Sequence, residues 1–191
     1  MVKAFLSGKQ RTRHQLGFTL AELMIAIAIS SLIVVGSIQL LSHMVVTSAQ
    51  NRANTMAMLQ VQYVGFWITE DVIQARPDQV TLTDPSNPGA SHFPLTIHWT
   101  QWNGYEHKVV YSVEGEETWT LYRHQWYTPP EGGSEVDNGV VAVGEYLDPA
   151  GTMCDWVTGG NVTAVLKVDV TANVDGKVAT RTYEINPRSK S

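Results

Sequence analysis

Apolar residues are spread very unevenly along this chain. From Phe18 to Val46 most side chains are apolar or small, and Glu22 is the one formally charged residue. That run exceeds the roughly 20 apolar residues a helix needs to cross a bilayer. A polar patch over residues 47–55 follows and predicts the exit from the membrane. Beyond it, Met56, Leu59, Tyr63, Phe66 and Ile73 recur at helical spacing, with Val61, Val64, Ile68 and Val72 as an adjoining stripe. Together the two stripes predict a wide apolar helix face lying on a sheet. No proline interrupts Phe18 to Arg76. Arg76-Pro77 then predicts the helix end, because the residue before a proline is pushed out of the helical region.

After that point the period shortens to that of strands. Strand-like runs lie near residues 79–83, 94–102, 105–113, 118–127, 139–147, 162–174 and 177–185. Asn103-Gly104 and Asp175-Gly176 each predict a two-residue hairpin, since both dipeptides suit type I′ turns. Leu166, Val168, Val170 and Ala172 alternate with Lys167, Asp169 and Thr171, so the last hairpin should have one buried face. Residues 84–91 and 128–138, rich in Pro, Gly, Ser and acid, read as exposed loops. The expected fold class is α+β: a long N-terminal α-helix packed on a C-terminal antiparallel β-sheet. Four stretches follow: a basic segment over 1–17, a membrane-spanning half-helix over 18–46, an amphipathic half over 47–75, and a β-rich globular domain over 76–191.

Charge sharpens this division. Residues 1–17 hold Lys3, Lys9, Arg11 and Arg13 and no acid. With those four removed from the 13 basic residues, nine remain against 18 acidic ones. A basic flank stays on the cytoplasmic side of an apolar span, so the acidic remainder should be translocated. Such a surface also lacks the clustered Lys and Arg of a nucleic-acid binder. The single cysteine, Cys154, excludes an intrachain disulfide. It is expected as a small buried hydrophobe.

The order of features at the N-terminus is the reverse of an ordinary secretory signal, in which the small-residue cleavage site follows the apolar region. Here the basic segment ends at Gly17 and the apolar run begins at Phe18. Cleavage after Gly17 would leave that run on the mature chain as its new N-terminus. Glu22 would then be the fifth residue. A carboxylate inside a membrane helix costs on the order of 2.5–3.5 kcal/mol. A free α-amino group, on the same or better on a neighbouring chain, would compensate it, and the positive end of the helix dipole helps.

Gly17-Phe18-Thr19-Leu20-Ala21-Glu22-Leu23 followed by an apolar span resembles the N-terminal signal of type IV prepilins and type II secretion pseudopilins, over residues 15–46. The resemblance implies cleavage between Gly17 and Phe18 by prepilin peptidase and N-methylation of Phe18. It also implies pairing of Glu22 with an N-terminal amine during filament assembly. Other pilin or pseudopilin subunits and an inner-membrane assembly platform are the implied partners. The implied location is the cytoplasmic membrane, crossed once with the C-terminal domain outside, and then an extracellular or periplasmic filament. Asp71-Val72-Ile73-Gln74-Ala75 resembles a helix-end pattern of J-type pseudopilins and W-type minor pilins, and Pro187-Arg188 resembles the endings common in pseudopilins. Many pilins carry a proline in the apolar half-helix; this chain has none there, which leans toward a minor subunit.

Other chemistry has thinner support. In a two-residue Asn103-Gly104 hairpin, His98 and His107 would be diagonal neighbours on one face. No third ligand is evident, and no metal or other cofactor is assigned. Asp137-Asn138-Gly139 and Asp84-Pro85-Ser86-Asn87 lack the alternating oxygens of a dedicated calcium loop. Asn161-Val162-Thr163 matches a glycosylation acceptor, a tripeptide common by chance. Trp99, Trp102, Trp119, Trp126 and Trp156 are expected to fill a thin core. The alternative is a docking surface, which would suit an adhesive or DNA-uptake pilin that binds a ligand through its outer domain. No phosphate loop, dinucleotide fingerprint or nucleophile elbow occurs, so an enzyme is not expected.

Overall fold

A computed structural model describes residues 18–83, 92–130, 132–157 and 165–188. The chain falls into two units that divide after Thr47. Helix α1, Leu20–Val72, contributes its first part to one unit and its second part to the other.

In the first unit every described side chain up to Val46 is exposed. By length and composition α1 is apolar enough there to cross a membrane. Two of the serines in this stretch, Ser31 and Ser37, satisfy their hydroxyls within the helix. Ser31 Oγ donates to the Ala28 carbonyl and Ser37 Oγ to that of Ile33, each at 2.8 Å. Such back-bonding satisfies a hydroxyl within its own helix.

The second unit is the end of α1 packed on an antiparallel sheet. Its strands are β1 (Val80–Leu82), β2 (Leu95–Thr100), β3 (Glu106–Glu114), β4 (Trp119–Thr128), β5 (Val136–Leu147), β6 (Met153–Val157), β7 (Val165–Val174) and β8 (Lys177–Ile185). Strands β1 to β5 follow one another as neighbours, and β5 then meets β7. Strand β8 pairs β7 along residues 166–174, while β6 pairs residues 165–169 and β5 meets Ala172. A strand has two edges, so β5 and β6 share the edge of β7 that β8 leaves open. Residues 84–91 and the Asn161 tripeptide lie outside the described residues.

Each of the seven expected strands has a counterpart, and the Asp175-Gly176 hairpin is the two-residue one predicted. Val174 pairs with Lys177, with Asp175 at φ 50° and Gly176 at φ 75°. Both central residues at positive φ are what a type I′ turn requires. Leu166, Val168, Val170 and Ala172 are all buried, as their alternation predicts. Strand β6 was not anticipated. Its five residues carry little local signal, and pairing with β7 makes them a strand. The exposed loop expected over 128–138 is shorter, since β5 already starts at Val136.

The helix face needs correction. Val61, Val64, Ile68 and Val72 pack against the sheet with Ala53 and Ala57, but Met56, Leu59, Tyr63, Phe66 and Ile73 are exposed. The reason is closeness of approach. A Cβ on Gly65 would lie 1.9 Å from Cζ of Tyr183, and one on Gly144 would lie 2.2 Å from Cγ2 of Val64. The small side of the helix therefore meets the sheet, and the bulky stripe is turned outward. Tyr183 lies across α1 at Gly65 and donates its hydroxyl to the Val61 carbonyl at 3.0 Å. Regular helix stops at Val72, and bonds from Gln74 N to Asp71 O and from Ala75 N to Val72 O carry a tighter turn to Ala75.

Candidate functional site

The start of α1 is a reciprocal cap. Thr19 N–H and Thr19 Oγ1 each donate to Glu22 Oε2 at 2.9 Å, and Glu22 N–H donates back to Thr19 Oγ1 at 3.3 Å. A helix begins with unsatisfied N–H groups, and a Thr at the cap with a Glu three residues on satisfies two of them at once. Sequence reasoning placed Glu22 but missed Thr19, although Thr-x-x-Glu is the signature of this box. Both bonds from Thr19 fall on Oε2, which leaves Oε1 open to a further donor. Phe18, just before the cap, is 87% exposed. Gly17 lies outside the described residues.

At the other end of α1, Asp71 is buried and held from the sheet. Arg123 Nε donates to Oδ2 at 2.8 Å and Nη2 to Oδ1 at 2.9 Å, while the Tyr111 hydroxyl also donates to Oδ2. Arg123 Nη1 reaches Gln125 Oε1 at 2.8 Å, and the Trp67 ring sits 4.9 Å from the guanidinium carbon. Burial works against the Arg123 charge, but the hydrogen bonds and charge of Asp71 more than offset it, so its pKa is raised. Burial and then the Asp71 charge likewise raise the Tyr111 pKa. This cluster has every charge answered, and it holds the helix end on β3 and β4.

The two histidines singled out for a metal do not converge. The β2–β3 loop runs from Gln101 to Tyr105, closed by Gln101 N to Tyr105 O at 2.8 Å, rather than through two residues. The register is therefore one residue away from the expected one, which flips side chains to the opposite face. His98 stands opposite Lys108, and His107 opposite Trp99. His107 stacks on Trp99 with ring centroids 5.1 Å apart, on the core side. Burial lowers its pKa.

The aromatics divide between two roles. Trp99 belongs to the core, and Trp119 and Trp156 pack partly buried against it. Trp126 lies on the outer face, stacked on His124 at 3.6 Å with Lys108 Nζ 5.0 Å from its ring. His124 Nε2 meets Asp137 Oδ1 at 2.8 Å, and the same oxygen accepts Gly139 N–H at 2.7 Å. The Gly139 bond, followed by that of His124, lowers the Asp137 pKa. Trp102, at the tip of the β2–β3 loop, is 98% exposed. Cys154 is fully buried as expected, its thiol directed to the His92 carbonyl at 3.7 Å.

Comparison with known proteins turns on the helix start. Residues 12–38, which contain Gly17, Phe18 and Glu22, match the prokaryotic N-terminal methylation motif. No curated protein and no solved structure matches the chain. The motif is one of structural subunits, cleaved and methylated at the N-terminus, processed by prepilin peptidase and assembled with other pilins in the membrane. That motif is the N-terminal signature of type IV prepilins and pseudopilins, and a long apolar helix leading into an antiparallel sheet is consistent with a pilin-like fold.

Proposed function

We propose that this chain is a minor pilin or pseudopilin, a structural subunit of a type IV filament. Prepilin peptidase cuts between Gly17 and Phe18, and the new amino group of Phe18 is methylated. Residues 18–46 then hold the subunit in the cytoplasmic membrane, with residues 76–191 outside, until an inner-membrane platform moves it into a filament. The observation that carries this reading is the apolar start of α1, in which no described residue from 18 to 46 is buried by its own chain. Exposed apolar surface on this scale needs lipid or other subunits to cover it. The outward stripe of Met56, Leu59, Tyr63, Phe66 and Ile73 extends the demand into the second unit. Within the filament, Glu22 receives a neighbouring N-terminal ammonium on Oε1 while Thr19 holds Oε2.

Mass spectrometry of the mature protein tests the proposal. The expected mass lacks residues 1–17 and carries one added methyl on Phe18. A chain that retains its leader in cells with active prepilin peptidase would overturn it. A second reading, an adhesive or DNA-uptake pilin, draws support from Trp102, a large apolar side chain left out of the core at a loop tip. Loss of adhesion or uptake in Trp102→Ala, with filaments still assembled, would favour that reading. Trp99 is unsuitable for such a test because it is part of the core.

A further inference from the structure

Two short stretches of sequence, the helix end at 71–75 and the closing Pro187-Arg188, meet in space. Arg188 N–H donates to the Ala75 carbonyl at 2.8 Å, with Ala75 and Pro187 both buried. Their meeting forms a small cavity of about 140 Å³ lined by Gln74, Arg76, Gln79, Thr100 and Arg188. It holds two guanidinium-bearing residues and no carboxylate. That is unexpected by charge: past residue 17 the chain has nine basic residues against 18 acidic ones. Among the described residues, neither Arg76 nor Arg188 forms a salt bridge, whereas Arg123 is fully committed to Asp71.

The amides around the cavity are arranged in keeping with this. Gln79 Oε1 accepts the Arg76 backbone N–H at 3.0 Å, so its acceptor is used and its NH₂ group remains to donate. Gln74 Nε2 donates to the Glu70 carbonyl at 3.0 Å, which fixes that side chain at the rim. Thr100, the last residue of β2, supplies a hydroxyl. Two guanidinium groups, an amide donor and a hydroxyl favour a group that accepts hydrogen bonds and carries negative charge. Arginine forks match carboxylate and phosphate oxygens in a bidentate manner. The volume is well below the roughly 300–1,000 Å³ of pockets for drug-sized ligands. It suits one such group and not a chain of them.

We propose that the cavity between the helix end and the C-terminal Pro187-Arg188 binds a single oxyanion group, a carboxylate or phosphate, gripped by Arg76 and Arg188. The group comes either from a small anion or from an acidic side chain of a second copy of this chain. This site stands apart from processing at Gly17–Phe18 and does not require it.

The test is a titration of the full chain in a zwitterionic detergent, followed through the arginine Nε–H resonances by NMR. Phosphate and acetate are added, with chloride at equal ionic strength as the control. Saturable shifts of Arg76 and Arg188 with phosphate or acetate but not chloride are expected. Arg188→Ala and Arg76→Gln should each weaken binding at least tenfold while thermal melting stays unchanged. Sedimentation in parallel identifies the source. Self-association that phosphate competes away, and that Arg188→Ala abolishes, assigns the group to a second copy. Phosphate binding with no change in association assigns it to a small anion. Linear, non-saturating shifts, or equal shifts with chloride, would overturn the proposal.

Discussion

Arg123 grips Asp71 through two parallel hydrogen bonds across 52 positions of sequence, and both side chains are buried. This pair joins the last turn of α1 to β4, and the Tyr111 hydroxyl on the same carboxylate adds β3. A buried ion pair is not by itself a source of stability, because desolvating two charges cancels much of their attraction. Here the planar fork and the extra bonds to Tyr111 and Gln125 satisfy both groups, so the cluster specifies where the helix end must lie.

Removing one partner leaves a buried charge unanswered. Asp71→Ala and Arg123→Ala should each cost about 3–5 kcal/mol. The double change, Asp71→Leu together with Arg123→Met, should cost less than the two single changes summed. Urea unfolding of the detergent-solubilised chain, followed by tryptophan fluorescence, measures this. Equal and additive losses would show that the pair is not a coupled unit.

Two glycines of the same helix should respond differently. A methyl at Gly65 would fall inside the Tyr183 ring, whereas at Gly36 nothing lies within 4 Å. Gly65→Ala should therefore destabilise by about 1–3 kcal/mol through overpacking. Gly36→Ala should leave the melting of the sheet-bearing unit unchanged. Thermal scans of the two variants side by side make the comparison.

Cys154 carries a pH prediction. Burial, followed by the nearby Asp155 charge, raises its thiol from an ordinary 9.0 to about 12. Between those values the folded chain keeps a proton that the unfolded chain has lost. Stability is therefore fully present below pH 9 and declines as pH rises toward 12, by up to about 1.4 kcal/mol per pH unit. At pH 8.5 the folded protein should resist iodoacetamide and take up one equivalent only in urea. Labelling of the folded form as fast as a small-molecule thiol would contradict this. The stability slope should be smaller in Cys154→Ala.

The cap at Thr19 separates two roles of Glu22. Gln at the same position can still accept from Thr19 N–H, since a capping box tolerates either residue, but it brings no charge. Under the proposed function Glu22→Gln should be cleaved normally and retain its helix content, yet enter filaments poorly. Thr19→Ala should lose about 0.5–2 kcal/mol of local helix stability. Immunoblots of membrane and sheared-filament fractions, with circular dichroism, distinguish the two. Normal assembly of Glu22→Gln would remove the amine-pairing role.

Several features were legible because they depend on neighbours in sequence. The apolar run from Phe18, the helix stop at Arg76-Pro77 and the Asp175-Gly176 hairpin each follow from local composition or backbone preference. The order of basic segment, Gly17 and apolar span points by itself to the N-terminal motif matched at residues 12–38. Tertiary structure decided the rest. Two apolar stripes on α1 look alike in a periodicity count, and only Tyr183 against Gly65 and Val64 against Gly144 select which one meets the sheet. The partner of Asp71 lies on β4, beyond any local signal, and β6 exists because β7 pairs with it. The β2–β3 register turned on a five-residue loop, where one residue moves every side chain to the other face. Local sequence determines which conformations a segment can adopt; which of its faces is buried depends on how closely two backbones can approach.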